Sequence, residues 1–196
     1  MKTNTWVSCL FSLIFLMVSC AGTDITQVQV DDAYKGKPVS DILVIAVTGN
    51  EHNRRSFEKK FVAYLKSVGT AAMASEEVIT MPGNLKIKKE TILDAVNQYN
   101  NDAVIITQLV SKEKEDVYTR SRHGRRTFFS YSVDPGYSST TTTVQLETNL
   151  YDAKTGELIW SGKSKTLSRD STNQLMNDVI KAVINNLQKN KLIAPK

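Results

Sequence analysis

The sequence of 196 residues has few of the side chains that build metal centres or covalent catalysts. It contains two cysteines, Cys9 and Cys20, and two histidines, His52 and His123. Neither histidine lies at metal-ligand spacing from another candidate ligand, so we expect no metal site. The sequence also has no Gly-x-Ser-x-Gly motif, no phosphate-binding loop and no carboxylates spaced as an acid and base pair. We therefore expect a protein that is not an enzyme and has no cofactor.

The N-terminal segment has an apolar run, but a short one. Residues 10–18 are mainly apolar, and about nine residues cannot span a bilayer core that needs roughly twenty. This run follows the single charge of Lys2 and precedes the small residues at 19–22. A basic start, a short apolar middle and small residues at the cut are typical of a secretory signal, so we expect residues 1–19 to be removed.

Residues 16–20, with the sequence Leu-Met-Val-Ser-Cys, resemble the lipobox of bacterial lipoproteins. The segment departs from the family at Met17, where Leu, Val or Ile is usual. The resemblance implies cleavage before Cys20 by signal peptidase II and acylation of that cysteine, including palmitate. It would also explain a lone thiol in an exported chain, because Cys9 leaves with the signal. With Ala21 after the cysteine, the resemblance implies sorting to the periplasmic face of the outer membrane.

Residues 20–40 are predicted to form a lipidated tether, because they contain Gly, Pro, Asp and Thr and little apolar content. Residues 26–30 alternate in polarity, which is the pattern of an additional edge strand. Fully extended, about twenty residues would reach at most roughly 65–70 Å.

Residues 41–196 are predicted to form a single α/β domain. Apolar runs at 42–47, 70–75 and 103–110 read as strands, and they alternate with helices that begin near Asn53 and Lys88. Such a β-α-β-α-β order favours parallel pairing. Residues 143–151 alternate in polarity, a turn follows, and residues 158–160 begin the return strand. This order indicates an antiparallel hairpin with one polar face. A capping pattern at Ser171 opens a C-terminal helix. The expected fold class is therefore α/β (α+β), with a mixed sheet of about five strands and helices packed on it.

This element order, the lipobox and residues 151–162 together resemble a group of small bacterial envelope lipoproteins. The segment 151–162 reads Tyr-Asp-Ala-Lys-Thr-Gly-Glu-Leu-Ile-Trp-Ser-Gly. The group includes penicillin-binding-protein activator lipoproteins, the curli secretion lipoprotein and the amino-terminal domain of the Tol–Pal periplasmic protein. The likeness covers most of residues 42–190 and supports the fold more than any one function.

Residues 112–140 are predicted to be a loop or a long hairpin tip that carries basic and aromatic side chains. Arginine beside exposed aromatic rings is a mixture that binding interfaces favour, and guanidinium groups grip phosphate and carboxylate. The alternative is a solvated loop whose rings fold back on the sheet edge. An exported protein rarely meets nucleic acid, so we expect an envelope protein or an anionic envelope component as partner. The candidate partner-binding residues are Arg120, Arg122, Arg125, Arg126, Phe128, Phe129 and Tyr131.

These observations predict a lipid-anchored envelope protein that acts as a non-catalytic binding or adaptor module for another envelope component. The alternative is a subunit of an oligomeric envelope secretion or assembly complex. That alternative requires membrane-inserting strands with lipid-facing residues alternating over about nine to eleven positions. Residues 127–151 alternate only weakly and are rich in Thr and Ser.

Overall fold

The computed structural model describes residues 23–31, 34, 37–83, 86–119, 137–168 and 171–194. Six strands within these ranges form one sheet, and three α-helices pack on it. In chain order the elements are β1 (Asp24–Val30), β2 (Asp41–Val47), α1 (Glu51–Ser67), β3 (Ala71–Ala74), a short 3-10 turn (Ser75–Glu77), α2 (Lys89–Tyr99), β4 (Ala103–Thr119), β5 (Tyr137–Asp152), β6 (Leu158–Ser168) and α3 (Thr172–Lys189).

The sheet is mixed, with the strand order β1-β6-β5-β4-β2-β3. Strands β3, β2 and β4 are parallel to one another, whereas β4, β5, β6 and β1 pair antiparallel in turn. The predicted mixed α/β fold is confirmed. The sheet has six strands rather than about five, because β1 pairs with β6 and forms the edge strand that the alternation at residues 26–30 suggested.

Helices cover both faces of the parallel part of the sheet. Residues 42–46 of β2 are all at most 5% exposed, which explains why this strand is apolar throughout rather than alternating. Helices α1 and α3 pack on one face, around the fully buried Trp160, and α2 packs on the other face. Trp160 therefore lies in the core, and its Nε1 donates to Asn186 Oδ1 at 3.0 Å.

Two local predictions about the helices are wrong. Helix α1 is capped by Asn50 rather than Asn53, because Asn50 Oδ1 accepts from the backbone N–H of Asn53 at 2.9 Å. The helix begins at Glu51, so Asn53 lies in its first turn. Its backbone N–H donates to the capping side chain, whereas a capping residue would supply the acceptor. The helical spacing of Ile92, Val96 and Tyr99 predicts that all three are buried on α2, but Tyr99 is 39% exposed, since the buried residues of this helix are Ala95 and Val96.

The extents predicted for the tether and for the basic and aromatic loop also change. Residues 24–30 are part of the sheet, so they cannot extend as a tether. Residues 112–119 and 137–140 belong to β4 and β5, which pair antiparallel from Ala103↔Asp152 to Thr119↔Tyr137. Residues 112–119 and 137–140 form strands because they pair with each other and with the rest of β4 and β5, although their composition alone is typical of a polar loop.

Candidate functional site

One end of the sheet carries a two-stranded hairpin that continues beyond the neighbouring strands. Strand β2 stops at Val47, opposite Gln108 of β4, and β6 stops at Ser168, opposite Thr142 of β5. Beyond these points residues 109–114 of β4 pair with residues 142–146 of β5, which also pair with β6, and residues 115–119 pair with residues 137–141 in a two-stranded ribbon. Among the described strands, residues 109–119 therefore have no neighbour on the side of β2, and residues 137–141 have none on the side of β6. We call these two segments the stem, and the end of the sheet that carries them the hairpin end.

The N-terminal part of the described chain starts at the same end. Strand β1 pairs Asp24 with Lys165 of β6, and Lys165 in turn pairs with Gln145 of β5. The hydroxyl groups of Thr23 and Thr166 lie 2.7 Å apart, so the residue before β1 is also held against the sheet. The chain thus enters the domain at the hairpin end and runs along β1 away from it.

A cleft of about 590 Å³ opens at the hairpin end, between the first turns of α1 and α3 and the base of the stem. It lies beyond the carboxyl end of β2 and beside residues 107–112 of β4, and open α/β sheets place ligands at the carboxyl ends of their parallel strands. Leu109 in its wall is 54% exposed. Apolar and polar residues line the cleft in equal number, so it could contact both kinds of group. Its apolar lining includes Phe57, Leu109, Val144, Leu146, Leu175 and Met176, and its polar lining includes Asn53, Gln108, Lys112, Ser171 and Thr172.

A buried ion pair supports the first turn of α1 beside this cleft. Arg54 is 1% exposed and Glu58 is 0% exposed, and Arg54 Nε donates to Glu58 Oε1 at 3.1 Å. The guanidinium also donates from Nη2 to Ser75 Oγ at 3.0 Å and to the carbonyl of Ile79 at 2.8 Å. Glu58 Oε1 accepts from the N–H of Ala46 at 2.9 Å and from Ser75 Oγ at 2.9 Å.

The second carboxylate oxygen, Glu58 Oε2, accepts from the backbone N–H of Glu76 at 2.7 Å. The pair therefore joins α1, the end of β2 and the 3-10 turn through hydrogen bonds that satisfy both charges. This arrangement suits a structural clamp, because a buried charge is tolerated only when its partners compensate for lost hydration. The sequence analysis missed the pair. The signal available was an Arg and a Glu four residues apart on the helix stripe that carries Phe57 and Phe61.

Glu76, one of the carboxylates scattered through the sequence, forms ion pairs with two basic residues of α1. Its two oxygens lie 3.2 Å from Arg55 Nε and 3.1 Å from Lys59 Nζ. Both cations are largely exposed, so this network contributes little to stability.

Most of the predicted site residues cannot be placed. Cys20, His123 and the seven candidates between Arg120 and Tyr131 lie outside the described residues. His52 is described, and it is exposed in the first turn of α1. Across the described ranges, no group of three or more His, Cys, Asp or Glu side chains could hold a metal ion. No helix among the described residues is long and apolar enough to cross a membrane.

Two tyrosines that lie outside this cleft have raised pKa values. Burial raises the pKa of Tyr34, and the carboxylates of Asp152 and Asp102 raise it further. Burial also raises the pKa of Tyr151; the Asn149 side chain opposes this shift and Glu147 adds to it. Tyr151 lines a smaller cleft of about 330 Å³ beside α2, on the other face of the sheet. Both tyrosines therefore favour the neutral, protonated form.

Neither family models nor curated proteins match the sequence. Several solved structures resemble the fold at low identity. The PelC dodecamer from Paraburkholderia phytofirmans is 13% identical over 89% of this chain and 99% of that chain, with a TM-score of 0.49. Lipoprotein GNA1162 from Neisseria meningitidis is 18% identical over 76% of this chain and 99% of that chain, with a TM-score of 0.45.

A putative neuraminyllactose-binding hemagglutinin homolog from Helicobacter pylori is 15% identical over 81% of this chain and 93% of that chain, with a TM-score of 0.42. All three TM-scores are below 0.5, so these likenesses say nothing about the activity or assembly of this chain.

Proposed function

We propose that this chain is a lipid-anchored protein of the cell envelope that acts as a non-catalytic binding module for another envelope component. Its anchor is acylated Cys20, placed in the outer membrane on the periplasmic face, as the resemblance of residues 16–20 to a lipobox implies. Its binding surface is the hairpin end of the sheet, which comprises the stem, the cleft at its base and the basic and aromatic residues of segment 120–131.

The observation that carries this proposal is the stem. A two-stranded ribbon is at best marginally stable alone, and ordering each residue costs roughly 1–2 kcal/mol of backbone entropy. The residues of the stem lose this backbone entropy although they lie outside the core that the helices cover. A long hairpin that leaves the sheet and leads into residues rich in Arg and aromatic rings suits contact with another molecule better than support of the fold.

Cross-linking in intact cells followed by capture of the protein tests the binding surface. The variant Arg122→Glu, Arg125→Glu, Arg126→Glu reverses three charges of the predicted patch. A matched control, Lys66→Glu, Lys154→Glu, Lys189→Glu, reverses three exposed charges at the opposite end of the sheet. We expect a specific cross-linked partner with the wild type and the control, and its loss with the arginine variant. An identical set of cross-links in all three would contradict the assignment of the surface.

The anchor is tested separately by metabolic labelling with an alkyne fatty acid. Wild-type protein is expected to incorporate the label, and Cys20→Ser is expected to lose it and to accumulate with its signal uncleaved. Unlabelled wild-type protein would contradict lipid anchoring without bearing on the hairpin end.

One observation favours the second candidate, a subunit of an oligomeric secretion or assembly complex. In the stem, one backbone edge of β4 beyond Gln108 and one of β5 before Thr142 have no neighbouring strand among the described residues. Free edges can pair with another copy of the chain. Analytical ultracentrifugation of the detergent-solubilised protein tests this candidate, since a monomer at all concentrations would exclude it.

A further inference from the structure

The distance between the lipid anchor and the folded domain is short. Cys20 precedes Thr23 by three residues, so their Cα atoms are at most about 11 Å apart. Thr23 is held against β6 by its hydroxyl contact with Thr166, and the following residue, Asp24, pairs with Lys165. An acylated Cys20 would therefore be confined close to the hairpin end.

This restriction decides which end of the domain can face the membrane. From Lys165 to Leu158, at the opposite end of β6, the strand runs about 23 Å at 3.3 Å per residue. The acyl chains must lie in the bilayer, with Cys20 at its surface. A reach of about 11 Å does not cover 23 Å, so the end that carries the turn at residues 153–157 cannot be the end that rests on the membrane.

The stem extends in the same direction as the anchor and further. Lys165 pairs with Gln145, and Gln145 pairs with Ser111 of β4. From Ser111 to Thr119 the stem continues for about 26 Å beyond the level at which β1 begins. This length exceeds the reach of the segment between Cys20 and Thr23 by about 15 Å, so an upright domain would drive the end of the stem below the bilayer surface, whereas a tilted domain lays the stem along that surface.

We propose that the hairpin end faces the membrane that holds the anchor, and that the stem contacts the phospholipid head groups of that membrane. This inference rests on the proposed lipid anchor and names the component that the hairpin end meets. The stem contains five consecutive charged residues, 112–116, of which two are lysines and three are acids. On a lipid-facing strand surface a lysine costs roughly 2–4 kcal/mol at the bilayer midplane, and an acidic residue costs less. Contact at head-group depth avoids this cost, whereas insertion across the bilayer does not.

The full lipidated protein can be tested with a single fluorescent label. The sulfur of Cys20 would be blocked by its thioether and Cys9 would leave with the signal, so one introduced cysteine is the only free thiol. Bimane is attached at Thr119→Cys, at the end of the stem, or at Lys154→Cys, at the opposite end of the sheet. Each protein is reconstituted in vesicles of phosphatidylethanolamine and phosphatidylglycerol that contain lipid spin-labelled at the head group or at mid-chain.

We expect loss of fluorescence at position 119 with the head-group spin label, and no loss at position 154. Equal signals at the two positions, or loss only at 154, would overturn the orientation. Stronger quenching at 119 by the mid-chain label would overturn surface contact in favour of insertion. If position 119 is unquenched in vesicles but shielded from a soluble thiol reagent in cells, a protein covers the stem instead.

Mass spectrometry of the same samples separates this inference from the proposed function. Acylated protein that shows no quenching at 119 would overturn the membrane contact alone. Protein without acyl chains on Cys20 would overturn both.

Discussion

The buried pair of Arg54 and Glu58 permits a quantitative prediction about stability. Changing Glu58→Gln keeps the shape of the side chain but removes its charge and one of its two acceptor oxygens. Arg54 is 1% exposed, and its guanidinium would then keep only the carboxylate of the largely exposed Glu51, 3.7 Å from Nη1, as a compensating charge. The amide group of Gln would also bring a donor next to groups that already donate to Glu58, including the N–H of Ala46 or Glu76.

Removing one partner of a buried ion pair typically costs about 3–5 kcal/mol. In a domain of this size, 1 kcal/mol corresponds to about 2–4 °C in Tm, so we expect Tm to fall by roughly 6–20 °C. The assay is urea and thermal unfolding of a soluble form that begins at Ala21, followed by circular dichroism. Arg55→Gln is the matched control, because Arg55 lies on the same helix in an exposed ion pair and should cost no more than about 1 kcal/mol.

A double variant tests which contacts matter. Arg54→Met with Glu58→Met removes both charges but leaves the N–H groups of Ala46 and Glu76 without their acceptors. Each buried unpaired donor costs about 1–3 kcal/mol, so the double variant should remain about 2–6 kcal/mol less stable than the wild type. The reasoning is refuted if Glu58→Gln is no more destabilising than Arg55→Gln, or if the double variant recovers wild-type stability.

Further predictions concern the core, the helix start and the pH dependence. Gly162→Ala should destabilise by about 1–3 kcal/mol, because a Cβ there would lie 2.6 Å from the Trp160 ring, whereas Gly49→Ala meets no atom within 4 Å and serves as its control in urea unfolding. Trp160→Ala should lower the free energy of unfolding by about 3–5 kcal/mol in the same measurement. A smaller decrease would mean that this buried site collapses easily around the missing ring. Asn50→Ala should cost about 1 kcal/mol and Asn50→Asp little, since Asp keeps the capping oxygen. Because the pKa of Tyr151 is raised above 10.0 in the folded state, its contribution to stability is full below pH 10 and is lost as the pH rises from there through the raised pKa. The urea midpoint of the wild type should therefore fall more between pH 9 and pH 11 than that of Tyr151→Phe, and parallel curves would contradict the shift.

Much of the fold could be predicted from local pattern. The apolar run at 42–47 indicated a strand, and a glycine such as Gly69, with φ of 83°, is typical of the position just after the end of a helix. Ser171 caps α3 by accepting from the N–H of Gln174 at 3.1 Å. These features depend on neighbours within a few residues along the chain, and that information is present in any short window of sequence.

Other features depended on residues far apart in the chain. Residues 112–116 are all charged, and the strand conformation of residues 112–119 follows from pairing with residues 137–144 of β5. Strand β1 is held by β6, more than 130 residues away, with an irregularity between Thr26 and Gln29. A short polar segment has little intrinsic preference for the strand conformation, so the partner strand decides it.

The candidate site shows the same division. Residue type and local order indicated an exported chain and a segment rich in Arg and aromatic residues, and the resemblance of residues 16–20 to a lipobox implied an acylated Cys20. The position of the cleft, the burial of Arg54 and Glu58, and the presence of the chain entry and the stem at one end required the folded sheet. They arise from strand pairing and from the shared covering of one face by α1 and α3, which bring together groups that are distant in sequence.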